Sequence, residues 1–314
     1  MRFRRSRAAA LGLVVALPGC ARGQPAAASA PAPAHADTAA LRRTLDSLAD
    51  AHHGIVGYAV RNLDTGEQLA RRGDETFPTA SLIKVPILVT LYDLVEKKQL
   101  SLDDQITLSR IDQVPGAGIL QFLHPGTQLT VHDAAWLMTT LSDNTATNLV
   151  LDKVAIRRVW EKMESLGLRH TKVHAKVFLA KATSLAPDSS AKYGLGVTTP
   201  NEMATLFGLL ATGKAVSPAA DSAMIAILEH NTDEQLLQRF AGGVRAAHKT
   251  GAVDDVRTEC SLFWLRGRVV ACVLSRENVD KRWVLDSEAQ LTLARMGEAV
   301  VKAWRPPERA AATR

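Results

Sequence analysis

The hydrophobic and polar positions of this chain follow two periods, which predict strands near both ends of the sequence and helices between them. Residues 54–61 and 68–70 alternate or run apolar on either side of a polar turn at 62–66, which is typical of a β-hairpin. Three further apolar runs at hairpin spacing predict a C-terminal meander, with strands at 246–249, 261–265 and 269–275.

Between these strands the apolar residues recur with a helical period. Leu41, Leu45 and Leu48 give this period to residues 41–52. The other segments with helical character are 81–99, 131–140, 146–154, 157–165, 200–212, 219–229 and 287–304. From 171 to 198 no period holds, and a loop of this length inside a compact domain is usually functional.

This order of elements predicts the fold. An N-terminal hairpin and a C-terminal meander can pair into one antiparallel sheet, with the terminal helices packed on it. The central helices then form an inserted lobe over residues 81–195. The predicted class is α/β plus all-α, with a five-stranded antiparallel sheet flanked by helices and a helical lobe inserted into it. The folded domain is expected to span 39–306, followed by a tail at 307–314.

The first residues are predicted to direct export. Four arginines precede a short apolar stretch at 8–17, which is typical of a signal peptide over residues 1–19. The Leu-Pro-Gly-Cys sequence that ends at Cys20 resembles a bacterial lipoprotein cleavage box, so we expect a lipid anchor at Cys20. The alternative is an ordinary signal that is cleaved in the Ala-rich stretch beyond it. Residues 20–38 are rich in alanine and proline and are expected to form a disordered linker. We therefore expect an exported bacterial protein that is periplasmic or anchored to the membrane as a lipoprotein.

Composition and charge argue against several classes of function. The chain has 314 residues, of which 46% are hydrophobic and 22% charged, as is ordinary for a globular domain with a sizeable core. The formal charge of +6, less the four arginine charges of residues 1–19, is +2, so the basic excess indicates no nucleic-acid partner. The 9 histidines show no metal-ligand spacing, and we expect neither a metal nor another cofactor.

Two cysteines, Cys260 and Cys272, lie in neighbouring predicted strands. If Arg266 and Gly267 form a two-residue hairpin loop, these cysteines are one position out of register and face opposite sides of the sheet. A three-residue loop would place them opposite each other. We expect the first arrangement, with two buried thiols, over a disulfide.

Three short motifs carry the candidate chemistry: Ser81-Leu82-Ile83-Lys84, Ser142-Asp143-Asn144 and Lys249-Thr250-Gly251. On a helix, Ser81 and Lys84 share one face, about one turn apart. A serine hydroxyl becomes a good nucleophile when a base takes its proton, and a neutral lysine amine can do so. Lysine is half neutral at pH 7 only if its pKa falls by about 3.4, which burial and a nearby cation such as Lys249 both favour. Pro86 breaks the helical propensity beside the first motif, as is expected at a functional site.

Together with the stretches 81–88 and 141–149, these motifs resemble the class A β-lactamase and penicillin-binding serine hydrolase family, over residues 41–306. The resemblance implies a β-lactamase/transpeptidase-like fold with the active site between the sheet and the helical lobe. It also implies a monomeric serine hydrolase that forms an acyl-enzyme. The implied substrate is a β-lactam or a small molecule that resembles D-alanyl-D-alanine.

The resemblance implies catalytic roles for four side chains. Ser81 would be the nucleophile and Lys84 the base for acylation. Ser142 would relay a proton to the leaving amine, and Lys249 would be the second cation. The backbone N–H groups of Ser81 and Ala252 would form the oxyanion hole.

The resemblance also implies how substrate is held. Asn144 would hold the acyl amide and Thr250 the substrate carboxylate, while Gly251 would allow the substrate backbone to approach closely. Arg257 is a candidate for a further cation on that carboxylate, and the alternative is a surface arginine. Residues 114–119 would form the loop that walls the mouth of the site.

One departure from the family lies in the long loop. Class A β-lactamases carry a glutamate there that activates the deacylating water, and an asparagine four residues later. The corresponding stretch, 171–181, has no acidic residue, and Val177 and Lys181 fall at those two positions. Asp188 is the nearest acid downstream, and nothing marks it as a substitute.

The missing glutamate leaves three interpretations open. The first is a β-lactam-hydrolysing enzyme whose deacylation is slow, since a general base typically contributes about 10²–10⁴-fold to a rate. The second is a D-alanyl-D-alanine peptidase that β-lactams inhibit. The third is a binding protein for β-lactam or peptidoglycan that is acylated once and does not turn over.

Overall fold

The computed structural model describes residues 34–305. The predicted signal peptide, Cys20, most of the predicted linker and the tail at 307–314 lie outside these residues. The strands, in chain order, are β1 (Ile55–Asn62), β2 (Gln68–Arg71), β3 (Phe77–Pro78), β4 (Gln105–Thr107), β5 (Gln128–Thr130), β6 (Lys172–Val173), β7 (Gly196–Thr198), β8 (Ala246–Val253), β9 (Val256–Leu265) and β10 (Gly267–Arg276).

The α-helices lie between groups of these strands and at both ends of the domain. They are α1 (Thr38–Asp50), α2 (Lys84–Glu96), α3 (Val131–Thr140), α4 (Asn144–Val154), α5 (Ile156–Ser165), α6 (Ala180–Thr183), α7 (Pro187–Tyr193), α8 (Pro200–Ala211), α9 (Pro218–Leu228) and α10 (Glu288–Trp304). Short 3₁₀ turns occupy Ala80–Ile83, Arg110–Asp112 and Leu120–Phe122. Within the described part of the chain, no helix combines the length and the apolar character needed to cross a bilayer.

The main sheet has five strands in the order β2-β1-β10-β9-β8, and every neighbouring pair is antiparallel. The N-terminal hairpin therefore pairs with the C-terminal meander through β1 and β10, as the sequence predicted, and the predicted fold class is confirmed. The meander strands are longer than predicted. They extend through polar positions such as Thr250, Arg257 and Glu259, which interrupt the apolar runs of the sequence.

Alternate residues of the sheet face two separate cores, because successive side chains of a strand point to opposite faces. On one face, Ala59 and Leu262 join the core of the inserted lobe, which includes residues of α2, α3, α4 and α8. On the other face, Tyr58 and Phe263 pack with residues of α1 and α10. The candidate motifs lie where the sheet meets the lobe.

The segment predicted as one helix over 81–99 is two elements. Ala80–Ile83 forms a 3₁₀ turn, and α2 begins at Lys84. Pro86 is the third residue of α2, where a backbone N–H has no partner within the helix, so the proline costs little there. Ser81 and Lys84 thus lie on either side of a junction between two kinds of helix.

The stretch without a period, 171–198, contains short elements that a sequence pattern cannot detect. The strands β6 and β7 join β3 in a small three-stranded sheet, and α6 and α7 lie between them. None of these four elements exceeds 7 residues. The segment 171–198 is held near both ends, because β6 pairs with β7 and β7 pairs with β3.

The prediction of two free thiols is wrong. Cys260 lies directly opposite Cys272, their Cα atoms are 4.0 Å apart, and the two residues form a disulfide. The reason is the register at the turn, because Trp264 pairs with Arg268 and Leu265 with Gly267, so Arg266 and Gly267 do not form a two-residue loop. Gly267 makes this turn with a φ of +110°, a conformation that glycine adopts at little cost.

Candidate active site

The turn that carries Ser81 is packed directly against the edge strand β8. At Gly251, a Cβ atom would lie 2.4 Å from the carbonyl oxygen of Thr79 and 2.8 Å from the backbone nitrogen of Leu82, so no larger residue fits. The hydroxyl of Thr258 donates to the Thr79 carbonyl over 2.8 Å and ties β9 to the same turn. The close approach at Gly251 is therefore to the protein's own backbone, which sets the first motif beside the third.

Lys84 brings the first and second motifs together. Its side chain is fully buried, and its Nζ donates to the Ser142 carbonyl at 2.6 Å, the Ser142 hydroxyl at 3.1 Å and Asn144 Oδ1 at 3.1 Å. Ser142 is held in the left-handed region with a φ of +54°, an uncommon conformation for a residue other than glycine. Such local strain is typical of functional positions.

The two lysines of the motifs have lowered pKa values. Burial is the main cause of a pKa of Lys84 well below its ordinary value, and the charge of Lys249 lowers it further. Lys249 is also buried, and burial lowers its pKa to about 8, while Asp233 and Glu259 act in the opposite direction. Its Nζ donates to the Thr250 carbonyl over 2.9 Å. Burial and the charge of Lys249 thus make the amine of Lys84 easier to deprotonate than that of an exposed lysine.

Asp143 and Asn144 hold the loop at the mouth of the site. The Asp143 carboxylate caps α4 through the backbone N–H of Ala146 and accepts two further backbone N–H groups, from Ile119 at 2.7 Å and Leu120 at 2.9 Å. The Asn144 side chain donates to the Pro115 carbonyl at 3.0 Å. Asp143 therefore braces the turn and fixes the 114–119 loop as well.

The third motif lies beside a cavity of about 600 Å³. The cavity is lined by Asp233, Ala252, Arg257, Trp283, Val284, Leu285 and Gln290. The hydroxyl of Thr250, two residues before Ala252, donates to Asp233 Oδ2 over 2.8 Å. Neither Asp233 nor Trp283 was predicted as a site residue, because both lie in segments between the predicted helices and strands.

Arg257 forms a wall of this cavity and is nearly fully buried. Its guanidinium donates to the backbone carbonyls of Val253, Val256 at 2.8 Å and Arg282 at 3.4 Å. Its Cζ lies 4.6 Å from the centroid of the Trp283 ring. The structure therefore places Arg257 at the site, but its donors are engaged with backbone and its charge is stacked on an aromatic face.

In the long loop, Val177 lies next to the site, at the position that the sequence resemblance assigned to the glutamate of class A β-lactamases. The Asn148 side chain donates to the Val177 carbonyl at 3.0 Å and accepts from the Val177 N–H at 2.8 Å. Asn148 lies on α4, one turn beyond Asn144, so Val177 is held next to the site. Lys181 and Asp188 are exposed on α6 and α7 and are not bound to the motif residues.

A second ionisable pair lies behind the third motif. His248 Nδ1 is 2.9 Å from Glu259 Oε1, without the alignment of a hydrogen bond, and both side chains are buried. Glu259 also accepts from the Leu237 N–H at 2.6 Å and from the Ser261 hydroxyl at 2.9 Å. Across residues 34–305, no three His, Cys, Asp or Glu side chains are grouped closely enough to hold a metal ion.

Known proteins share both the sequence and the fold. A family model described as the β-lactamase enzyme family matches residues 40–304. Beta-lactamase L2 of Stenotrophomonas maltophilia is 27% identical over 274 residues, which cover 84% of this chain and 85% of that protein. Beta-lactamase regulatory protein BlaB of Streptomyces cacaoi is 32% identical over 130 residues, covering 40% of this chain and 41% of that protein. The match thus spans less than half of BlaB.

Solved structures extend the likeness to three dimensions. A β-lactamase from Sphaerobacter thermophilus aligns with a TM-score of 0.74 and 27% identity, covering 86% of this chain and 100% of that one. PBP-A aligns with a TM-score of 0.73 and 28% identity, covering 88% and 98%. A mutant of PBP-A has been solved as an acyl-enzyme complex with penicillin G.

The fold and the likeness along nearly the whole domain define a hydrolase of the serine β-lactamase type. This chain belongs to the β-lactamase enzyme family.

Proposed function

We propose that this protein is an exported serine hydrolase that is acylated by β-lactams on Ser81 and hydrolyses the β-lactam amide with slow deacylation. The observation that carries the proposal is the buried Lys84, whose amine contacts both Ser142 and Asn144. A lysine with a lowered pKa that is already bonded to a second hydroxyl is suited to pass on a proton. The acyl-enzyme of PBP-A with penicillin G supports acylation on this fold.

The proposed acylation step assigns a role to each motif residue. Neutral Lys84 takes the proton of the Ser81 hydroxyl, and the Ser81 oxygen attacks the β-lactam carbonyl. The N–H groups of Ser81 and Ala252 stabilise the oxyanion. As the amide bond breaks, the proton moves from Lys84 through the Ser142 hydroxyl, 3.1 Å away, to the leaving nitrogen. Every proton is thus accounted for without a cofactor.

Deacylation lacks an obvious base. Water must attack the acyl-enzyme, and the side chain that the Asn148 contact places beside the site is that of Val177, which cannot accept a proton. Loss of a general base typically costs about 10²–10⁴-fold in rate. We therefore infer that the acyl-enzyme accumulates and is hydrolysed slowly.

The same valine favours a second candidate function. A peptidase that acts on D-alanyl-D-alanine-like ends, and that β-lactams inhibit, would not need fast hydrolysis of a β-lactam acyl-enzyme. The likeness to PBP-A supports this alternative. If deacylation does not occur at all, the protein is acylated once and acts only as a binding protein.

One experiment tests the proposal and separates these candidates. The purified domain is mixed rapidly with a chromogenic cephalosporin, and the site of labelling by penicillin is mapped by mass spectrometry. We expect a burst of about one equivalent, then slow steady turnover, and an adduct on Ser81 that is absent in Ser81→Ala. A burst with no further turnover favours the peptidase or the binding protein. Rapid linear turnover without a burst contradicts slow deacylation, and an adduct that persists in Ser81→Ala contradicts the nucleophile.

Export is part of the proposal and rests on the sequence of residues 1–20. A basic start and a short apolar stretch support secretion, and the box that ends at Cys20 supports a lipid anchor. The disulfide between Cys260 and Cys272 is consistent with an oxidising compartment outside the cytosol. We propose a periplasmic or membrane-anchored location on these grounds.

A further inference from the structure

The hydroxyl of Thr250 is already bound to an acid. It donates to Asp233 Oδ2 over 2.8 Å, and Asp233 is an exposed residue on the wall of the cavity beside Ala252. In the function proposed above, this hydroxyl is the donor for the carboxylate of a β-lactam. A substrate carboxylate would therefore have to displace Asp233 and then lie next to a charge of its own sign.

The cations around the cavity are already engaged with acids or with backbone. Lys249, beside Thr250, interacts with the charges of both Asp233 and Glu259. The donors of Arg257 are engaged with the carbonyls of Val253 and Val256. The negative charges of four aspartates act on its guanidinium: Asp233, Asp254, Asp255 and Asp280. Arg282, the next cation, is paired with Asp280 over 2.8 Å. These cations are thus already engaged, whereas a site for a carboxylate needs free cations or free hydrogen-bond donors.

We propose that Asp233 is a specificity-determining residue that disfavours a carboxylate beside Thr250 and favours an acyl donor with an amide or ammonium group there. The proposal rests on the function proposed above. An amide N–H or an ammonium group can donate to Asp233 while the Thr250 hydroxyl keeps its present bond. The preferred substrate class is therefore an amide whose leaving part ends in a hydrogen-bond donor rather than in a free carboxylate.

The test compares two probes that differ at one group: benzylpenicillin and its 3-carboxamide. The second-order rate constant for acylation of Ser81 is measured by mass spectrometry for the wild type, Asp233→Asn and Glu234→Gln. The Glu234 variant is the matched control, since it removes a neighbouring negative charge that is not bound to Thr250. Melting temperatures confirm that all three proteins are folded.

We expect the wild type to react at least tenfold faster with the carboxamide. Asp233→Asn should react at least tenfold faster with benzylpenicillin than the wild type does, while its rate with the carboxamide changes less than threefold. Glu234→Gln should keep the wild-type ratio of the two rates. A tenfold change corresponds to about 1.4 kcal/mol, which is a modest repulsion between two charges near a protein surface.

The outcomes separate the two proposals. If neither probe labels Ser81, the proposed function fails. If both probes label Ser81 but the ratio of rates is the same in the wild type and Asp233→Asn, the inference about Asp233 is overturned while the proposed function stands. Equal effects of the Asp233 and Glu234 variants would also overturn it, because a general change of surface charge would then explain the selectivity.

Discussion

The side-chain amide of Asn148 pairs with the backbone of Val177 in both directions, through contacts of 2.8 and 3.0 Å. This pairing fixes the long loop to helix α4, and α4 begins at Asn144, which contacts Lys84. The position of residue 177 beside the site is therefore set by backbone contacts, not by its own side chain. A different side chain there should keep the same path of the loop.

Val177→Glu should accelerate deacylation. The carboxylate would stand where a base can activate the attacking water, and gains of about 10²-fold or more are typical of a general base. Pre-steady-state traces with a chromogenic cephalosporin should show a faster second phase and an unchanged burst rate. Val177→Gln, which has nearly the same shape but no base, is the control. Equal acceleration by both variants would show that polarity or loop opening, not base catalysis, limits the step.

Lys84→Met should remove the acylation base while keeping the volume of the side chain. Acylation by penicillin should slow by about 10²–10⁴-fold. In the wild type, the acylation rate should rise with pH as the Lys84 amine loses its proton, then level off at a pH well below the ordinary lysine pKa of 10.5. Rates measured by mass spectrometry across this range test both points. A Lys84→Met variant that acylates at the wild-type rate would require another base.

Lys249→Met should stabilise the fold at neutral pH. The pKa of Lys249 is about 8 in the folded state against 10.5 ordinarily, so the unfolded state binds more protons between these values. The stability of the wild type should therefore rise with pH across this window. The gain from the substitution should be largest near pH 7 and should shrink as pH approaches 10.5.

Urea unfolding of Lys249→Met and wild type at several pH values between these limits measures the gain. Lys214, which is exposed, supplies the control, and Lys214→Met should show no such dependence on pH. A gain that stays constant across the window would mean that burial of the charge is not its source.

The disulfide between Cys260 and Cys272 should contribute measurably to stability. It closes a loop with a sequence separation of 12, for which chain entropy predicts about 3 kcal/mol. Addition of a reductant should lower the unfolding midpoint by a corresponding amount. The doubly substituted Cys260→Ala/Cys272→Ala protein should not respond to reductant. Two reactive thiols in the unreduced, urea-unfolded domain would contradict the bond.

Cys20→Ser tests the lipid anchor. When the full chain is expressed in a bacterium, the wild type should partition into the membrane fraction because its N-terminus carries lipid, and the variant should not. Fractionation followed by immunoblotting measures the difference. If both proteins are equally soluble in the periplasm, the box before Cys20 directs ordinary secretion.

The sequence predicted the strands and helices whose periods are long enough to detect. Residues 131–140 were assigned correctly from their period, and the hairpin around β1 and β2 was assigned within one residue. The 3₁₀ turn before Lys84 was missed, because the apolar pattern runs through it without a break. The elements of the 171–198 loop were missed because none exceeds 7 residues, which is too short for a hydrophobic period to repeat clearly.

The sequence predicted the motif residues of the site but not the residues that surround them. Lys84, Ser142 and Asn144 meet because α2 and α4 pack in one core. The motifs alone indicated that these residue types would form the site. Asp233 was not predictable, since it comes from a loop far along the chain and reaches Thr250 only through the tertiary fold. The disulfide was missed for a local reason. A shift of one residue in the register at the turn between β9 and β10 moves each side chain of the second strand to the opposite face of the sheet.

The pairing of β1 with β10 has a consequence for the order in which the molecule is assembled. Ile55 pairs with Arg276, so β1 cannot pair with β10 until nearly the whole domain has been synthesised. The helices between them can make local contacts much earlier, since contacts of small sequence separation form fastest. Strand β8 joins the sheet only through β9, and β9 only through β10. We therefore expect a partly synthesised chain to hold Ser81 and Lys84 without the strand that completes their surroundings, so that reactivity arises only in the finished protein.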